Sequence, residues 1–476
     1  MNSPSDAIRP ASVRIAVPPP VGSLLERLWA NGHSAYVVGG SIRDALIGRE
    51  AADWDLASNA RPERLMELFP GAVYENRFGT VAVRAGRTIH EITTFRTDHE
   101  YADFRRPHRV EFGDSIVLDL ARRDFTVNAL AWGAEAPGDG ADAQGNGRAP
   151  AAGAAHPAPG LVDPFDGAAD IKAHLLRAVG DPGTRFEEDA LRMIRAVRLA
   201  ATLDFEIEPA TLAAITDHAA LVEHLSGERI AGELEKLLAA PTPSVGLRLM
   251  ESTGLLDVVL PELAAQRGIP QNKIEGEDLW DHSLRTVDAA PAGRPVARLA
   301  ALLHDIGKPM TVDEGPFRGH DTVGEDLATA LLERLNMPRA VIERVARLVR
   351  HHMFTSEPGM TDAGVRRFIR RVGADALDDL FALRDADNVG SGQPAGASSL
   401  RELRARIDEQ LAADVALDLR HLAVTGDDLI AGLGVSPGPR LGRILDALLE
   451  KVIVDPSLND RPTLLLLAEG MLAEDG

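Results

Sequence analysis

The sequence predicts an α+β protein, with an α/β head followed by a long helical body. Two patterns carry that expectation. Between Val21 and Trp132 short apolar runs mix with helical stretches, and Val73-Tyr74, Thr80 to Val83 and Ile89 to Phe95 read as strands. From Arg185 onward nearly all of the chain has amphipathic helical periodicity broken by Gly or Pro. Composition agrees, because aromatics make up only 4% of the chain.

A chain of 476 residues is too long for one core and implies two to four domains. The expected order is a disordered tail over residues 1–20, a head over 21–180, a helical neck over 181–245, a helical body over 246–400 and a helical C-terminal tail over 401–476. The Gly/Ala/Pro-rich run 134–160 reads as a low-complexity insertion in the head. The chain has no cysteine, which excludes disulfides, thiolate zinc sites and cysteine nucleophiles. No basic-then-apolar leader and no membrane-length apolar run occur, so a cytoplasmic protein is expected. A net charge of −21 argues against a protein that coats nucleic acid indiscriminately.

The most informative stretch is VVGGSIRDALIGREAADWDLAS, from Val37 to Ser58. Val37-Val38 reads as a strand end, and Ser41 to Ile47 as a helix opening on Gly39-Gly40. Backbone N–H groups at such a turn can cradle phosphate oxygens. Asp53 and Asp55 are two apart, so on a strand they share a face. Neighbouring carboxylates repel unless a cation sits between them, and Mg²⁺ bridging carboxylates and phosphates is the usual answer. Either feature alone is usually only a turn or a solvated strand end. In this order they resemble the active-site opening of the nucleotidyltransferase superfamily, and within it the class II CCA-adding tRNA nucleotidyltransferase and poly(A) polymerase family.

Further motifs extend the resemblance. Glu91, in HEITTFR, is a candidate third carboxylate, and the charged run from Phe95 resembles the family's flexible loop near the active site. Arg122-Arg123-Asp124-Phe125-Thr126-Val127-Asn128-Ala129 resembles the RRDFTxNA motif. That resemblance implies that Gly40, Arg43 and Arg123 hold a triphosphate, while Asp124 and Asn128 shape the sugar pocket. Glu188-Asp189 with Arg192, Arg195 and Arg198 resembles the EDxxRxxRxxR helix, in which the Asp and the first Arg pair with the incoming base. The remaining arginines are expected to face phosphates or brace Asp189. Cytosine and adenine each offer an amino donor and a ring acceptor, which a carboxylate and a guanidinium can read. Ser226-Gly227-Glu228-Arg229-Ile230 resembles the motif that stabilises the neck.

In the body, His282, His304-Asp305, His320, His351-His352 and Asp385 follow an order that resembles HD-domain phosphohydrolases. The expected ligands are His282, His304, Asp305 and Asp385, with His320 and His351 as further candidates. Imidazole and carboxylate donors suit a transition-metal divalent ion, which would activate water for phosphoester hydrolysis. Arg105-Arg106-Pro107-His108-Arg109, Arg122-Arg123 and Arg366-Arg367 with Arg370-Arg371 are candidate RNA contacts. The region from Leu422 to Leu472 resembles the family's tRNA-contacting C-terminal part.

The resemblance as a whole implies an enzyme that adds C and A from CTP and ATP to the tRNA 3′ end, with Mg²⁺ on Asp53 and Asp55 and release of pyrophosphate. A poly(A) polymerase, or a partial enzyme adding only C or only A, would share these motifs. A metal-dependent phosphohydrolase with an RNA-binding head and a purely structural RNA-binding protein are the alternatives from other classes.

Overall fold

The computed structural model describes residues 8–9, 15–51, 53–76, 79–101, 107–136, 158–271, 273–314, 317–354, 360–413 and 415–474. The chain forms two compact units, Met1–Pro261 and Glu262–Gly476.

The first unit is built on an eight-stranded sheet. Its strands in chain order are β1 (Ile8–Arg9), β2 (Ala35–Val38), β3 (Asp55–Ser58), β4 (Val73–Asn76), β5 (Thr80–Ala85) and β6 (Thr88–Thr94), then β9 (Ala131–Ala134) and β10 (Gly160–Val162). Between them, β7 (Arg96–Tyr101) and β8 (Pro107–Phe112) pair as a separate antiparallel ribbon. The spatial order is β1-β10-β9-β2-β3-β6-β5-β4. The three strands read from the sequence are therefore present as β4, β5 and β6. Two expectations change. The run after Phe95 is a paired ribbon, not simply a loop. Its strands are dense in charge, so the apolar alternation that betrays a core strand is missing. The expected tail contains β1, which pairs with β10, and its last residues open the first helix. The insertion joins the antiparallel neighbours β9 and β10, and its residues 137–157 lie outside the described residues.

Helices α1 (Pro19–Ala30), α2 (Gly40–Leu46), α3 (Pro62–Leu68), α4 (Ile116–Ala121) and α5 (Gly167–Lys172) accompany the sheet. Tyr36, Val38 and Ala57 on the sheet bury against Phe95, Ile116 and Leu120. Each large side chain so buried contributes about 1.5–3 kcal/mol. The neck follows as α6 (Pro182–Glu188), α7 (Leu191–Leu203), α8 (Pro209–His218), α9 (Gly227–Leu238), α10 (Pro243–Ser252) and α11 (Leu255–Val259), with the short parallel pair β11 (Leu175–Leu176) and β12 (Glu206–Ile207). Helix α10 packs on α7, so residues up to Pro261 join this unit and not the body.

The second unit is wholly helical among the described residues. It contains α12 (its first residue, Pro261, closing the other unit; Pro261–Ala264), α13 (Leu279–Ala289), α14 (Pro295–Leu303), α15 (His320–Arg334), α16 (Arg339–His351), α17 (Asp362–Val372), α18 (Leu377–Gly390), α19 (Ser398–Ala412), α20 (Gly426–Leu433), α21 (Pro439–Val454) and α22 (Arg461–Glu474). Helix α13 packs on α14 and α18, and α15 packs on α16. Leu429, Leu448, Leu449, Val452 and Leu464 form a separate core for α20 to α22. None of the described helices is long and apolar enough to cross a membrane.

Candidate active sites

The first site lies where β2 ends. Val38 pairs with Asp55 at the start of β3, so the Gly39-Gly40 turn and this carboxylate are adjacent by register. Gly39 has φ +78, and a Cβ there would come within 2.7 Å of Arg123 Nη1. Only glycine allows both the backbone conformation and that approach. Asp53 lies just before β3 rather than within it, so the shared-face argument from strand alternation does not hold as stated. Its charge still reaches the neighbouring acids. Burial pushes the Asp55 carboxyl up, with Asp53 adding to the rise and Arg123 opposing it. Glu91 precedes Ile92, the partner of Leu56, and so lies beside Asp55. Burial, Glu75, Asp55 and Asp53 all push the Glu91 carboxyl up. Carboxyls raised by burial and by neighbouring acids, as at Asp55 and Glu91, fit a site completed by a cation. Among the described residues, however, Asp53, Asp55 and Glu91 do not close to the 4.8 Å spacing of a tight ligand triad.

Arg43, Asn128, Asp124 and Arg195, four of the predicted nucleotide residues, join in one network. Arg43 folds back over Gly40, pairs with Asp44 at 2.8 Å and donates to Asn128 Oδ1 at 2.6 Å. Asn128 Nδ2 donates to Asp124 Oδ1 at 3.1 Å, which also accepts from the Phe125 N–H at 2.8 Å. Arg195 on α7 closes the chain by pairing with Asp124 Oδ2 at 3.0 Å. Arg123 is anchored by Asp119 at 3.6 Å, and the same carboxylate takes Arg122 at 2.7 Å. Asp119 was not singled out from the sequence, although it sits three and four residues before the arginine pair, where a helix brings them together.

Burial pushes Asp119 and Asp124 up, but their partners outweigh it and hold both below the ordinary carboxylate range. Arg122 and Arg123 do this for Asp119, and Arg195, Asn128 and Arg192 for Asp124. A depressed folded pKa stabilises the protein above the unfolded value, and that contribution disappears as the pH falls. Asp119→Asn and Asp124→Asn are therefore expected to flatten the acid-side loss of stability below about pH 4. Urea midpoints measured from neutral pH downward check this.

The neck residues depart from expectation. Asp189 is extended, at φ −152 and ψ 102, and breaks the path between α6 and α7 instead of sharing a helical face with the arginines. Its carboxylate accepts from the Leu191 N–H at 3.1 Å and pairs with Arg229 on α9. Arg192 gives three of its five N–H groups to Glu188 at 2.6 Å and to the carbonyls of Arg185 and Arg122. Arg198 pairs with Glu233 at 2.5 Å, tying α7 to α9. Neither Arg195 nor Arg198 braces Asp189. Arg229 does, from a motif read as structural only.

The second site is buried within the helical unit. His282, His304 and Asp387 present ligand atoms within 4.8 Å of one another, and so do Asp305, His320 and His352. Asp305 links the groups: Oδ2 faces His282 at 3.4 Å and His304 at 3.2 Å, and Oδ1 faces His320 at 3.4 Å and His352 at 3.6 Å. Oδ1 is buried without a hydrogen-bond partner. Nδ1 of His304, His320 and His352 each meets a backbone carbonyl at 2.6–2.8 Å, which assigns the proton to Nδ1 and a lone pair to Nε2. The Nε2 atoms of His320 and His352 then face each other at 3.2 Å as two lone pairs. That arrangement is repulsive without a cation between them, so these residues fit a metal.

Two expected ligands are corrected. Asp385 accepts instead from the Gly396 N–H at 2.9 Å, and Asp387 takes its place. His351 is half-buried outside the cluster, and the buried neighbour His352 enters it. On a helix, steps of one and two residues turn the side chain by roughly 100° and 200°, so only one member of each pair can face the site. Lys308 pairs with Asp305 at 2.5 Å, and Lys273 lies 3.2 Å from His282 Nε2.

The candidate RNA clusters are partly spent inside the molecule. Arg367 pairs with Glu450, Arg370 with Asp446 at 2.8 Å, and Arg366 donates to the Ile453 carbonyl at 2.6 Å. Arg105 and Arg106 lie outside the described residues.

Known families match the same architecture. The poly A polymerase head domain matches residues 35–177, a family described as a probable RNA and SrmB-binding site of polymerase A matches 204–267, and the HD domain matches 279–390. A CCA-adding enzyme of Limosilactobacillus fermentum is 33% identical over 459 residues, covering 95% of this chain and 97% of that protein. An A-adding tRNA nucleotidyltransferase of Deinococcus radiodurans is 33% identical over 444 residues, covering 87% and 91%. The solved Bacillus stearothermophilus CCA-adding enzyme in complex with CTP matches with a TM-score of 0.69 at 28% identity, covering 96% of this chain and 99% of that one. This chain belongs to the family of tRNA nucleotidyltransferases that includes the CCA-adding and A-adding enzymes.

Proposed function

We propose that this protein is a template-independent CCA-adding enzyme that joins C and A from CTP and ATP to the tRNA 3′ end, in the cytoplasm. The observation that carries the reading is the continuous network from Gly39-Gly40 through Arg43, Asn128 and Asp124 to Arg195, set beside the Asp53, Asp55 and Glu91 acids. Asp53 and Asp55 hold Mg²⁺, with Glu91 adding negative charge beside them. Mg²⁺ bound there would supply a lowered pKa for the primer 3′-OH and charge balance for the departing pyrophosphate. Arg43 and Arg123 line the turn and supply guanidinium forks to the triphosphate. Asp124 and Asn128 shape the sugar pocket. Asp189 accepts from the amino group of cytosine or adenine, and the N–H groups of Arg192 that remain donate to ring acceptors. Uracil and guanine present the opposite order and leave buried groups unpaired.

Incubating the protein with tRNA lacking its CCA end and each nucleotide separately tests this. Two C residues and then one A are expected. Addition of A alone, and only to tRNA already ending in CC, would favour the reading suggested by the A-adding relative. Long A tails would reject CCA addition.

In the HD unit, His282, His304 and Asp387 would hold one transition-metal divalent ion, and Asp305, His320 and His352 would hold a second. Such ions supply activated water for phosphoester hydrolysis. Lys273 and Lys308 bring positive charge to the same cluster, suited to a phosphate group.

A further inference from the structure

We propose that Arg229 is a specificity-determining positioning residue for base selection, acting through Asp189; this rests on the reading of Asp189 as base selector. Arg229 lies in the first turn of α9 and meets Asp189 with one nitrogen. Nη2 is 3.0 Å from Oδ1 and 2.8 Å from Oδ2. Nη1 is buried with no acceptor. The contact is therefore an end-on brace and not the usual two-pronged fork, which would be the stronger ion pair.

The consequence is a count of acceptor directions. A carboxylate offers about four. On Oδ1, the Leu191 N–H at 3.1 Å takes one and Arg229 takes the other. On Oδ2, Arg229 takes one. One direction on Oδ2 remains, and it can only accept. It suits the exocyclic amino group of cytosine or adenine and opposes the carbonyl that uracil or guanine places there. The backbone contact, from the Leu191 N–H, reaches Oδ1, whereas Oδ2 is met by Arg229. Without Arg229 the carboxylate can turn away from an incoming carbonyl, and the penalty that rejects the wrong base relaxes.

The test compares kcat/KM for CTP and ATP with that for UTP and GTP on truncated tRNA, using wild type, Asp189→Ala, Arg229→Gln and Arg229→Lys. Both side chains of the pair are about a quarter exposed (24% and 22%), so the variants are expected to fold, and melting curves verify it. Arg229→Met, which keeps the aliphatic packing, replaces Arg229→Gln if the latter melts early. In Arg229→Gln the preference for CTP over UTP is expected to fall about tenfold or more, with KM for CTP raised. Arg229→Lys, whose ammonium can make the same single-nitrogen contact, is expected to recover most of it. Unchanged preference in Arg229→Gln, with or without a slower rate, overturns the proposal. If Asp189→Ala also keeps the preference, the base-selector reading fails too. If Asp189→Ala loses it and Arg229→Gln does not, only the role of Arg229 falls.

Discussion

Asp53→Ala and Asp55→Asn each reduce nucleotide addition by at least about 10²–10³-fold in kcat, the scale expected when a group that stabilises transition-state charge is removed. His304→Ala, in the other compact unit, leaves addition intact. The same head variants should not be unstable. Burial and the charge of Asp53 push the Asp55 carboxyl up, and Asp53 contributes to the rise at Glu91. A carboxyl raised in the folded state stabilises the fold only at low pH, and that contribution is lost as the pH climbs through the raised value. Removing Asp53 relieves this repulsion at neutral pH. Melting in EDTA should therefore give Asp53→Ala a Tm equal to or above that of wild type, while its activity is gone. This pairing separates a catalytic acid from a structural one, whose loss would lower both. Nucleotide addition that survives in Asp53→Ala would discard the head-site mechanism.

What the sequence disclosed and what it hid follow from how local each interaction is. The Gly39-Gly40 turn, Arg43 and the RRDF motif were legible because glycine in a positive-φ turn and arginines at fixed offsets leave short-range patterns. The partners that hold those residues were not. Asp189 meets Arg229 forty residues on, and Arg198 meets Glu233 thirty-five residues on. Spacing along one helix cannot anticipate a contact made across two. The neck motif therefore reads as scaffold, although its arginine sits on the Asp189 carboxylate. The β7–β8 ribbon was hidden for a different reason. It lies outside the main sheet and carries charge where a core strand would show alternating apolar residues. Register also decided the HD ligands. The sequence places two His at 351 and 352 and two Asp at 385 and 387, and only packing determines which of each pair faces inward.

That choice carries the second large effect. Purified protein loaded with a transition metal is expected to hold about two ions per chain, because two separate three-residue groups are present, and Asp305 of the second also faces His282 and His304 of the first. Asp387→Ala and His352→Ala each remove a direct ligand from one group and should weaken one ion by more than the roughly 10–100-fold that loss of an outer-shell contact costs. Asp305→Asn touches both groups and should release both ions. Asp385→Ala and His351→Ala are the matched controls and should keep full metal content, since Asp385 is occupied by the Gly396 N–H and His351 lies outside the cluster. Nδ1 of three of the histidines already meets a backbone carbonyl, which directs their Nε2 atoms into the cluster. Metal analysis after gel filtration reads the stoichiometry directly, without any need to know the natural phosphoester. One ion per chain, unaffected by His352→Ala, would reduce the site to the His282, His304 and Asp387 group. Metal loss in Asp385→Ala with retention in Asp387→Ala would reverse the register on which the whole arrangement depends.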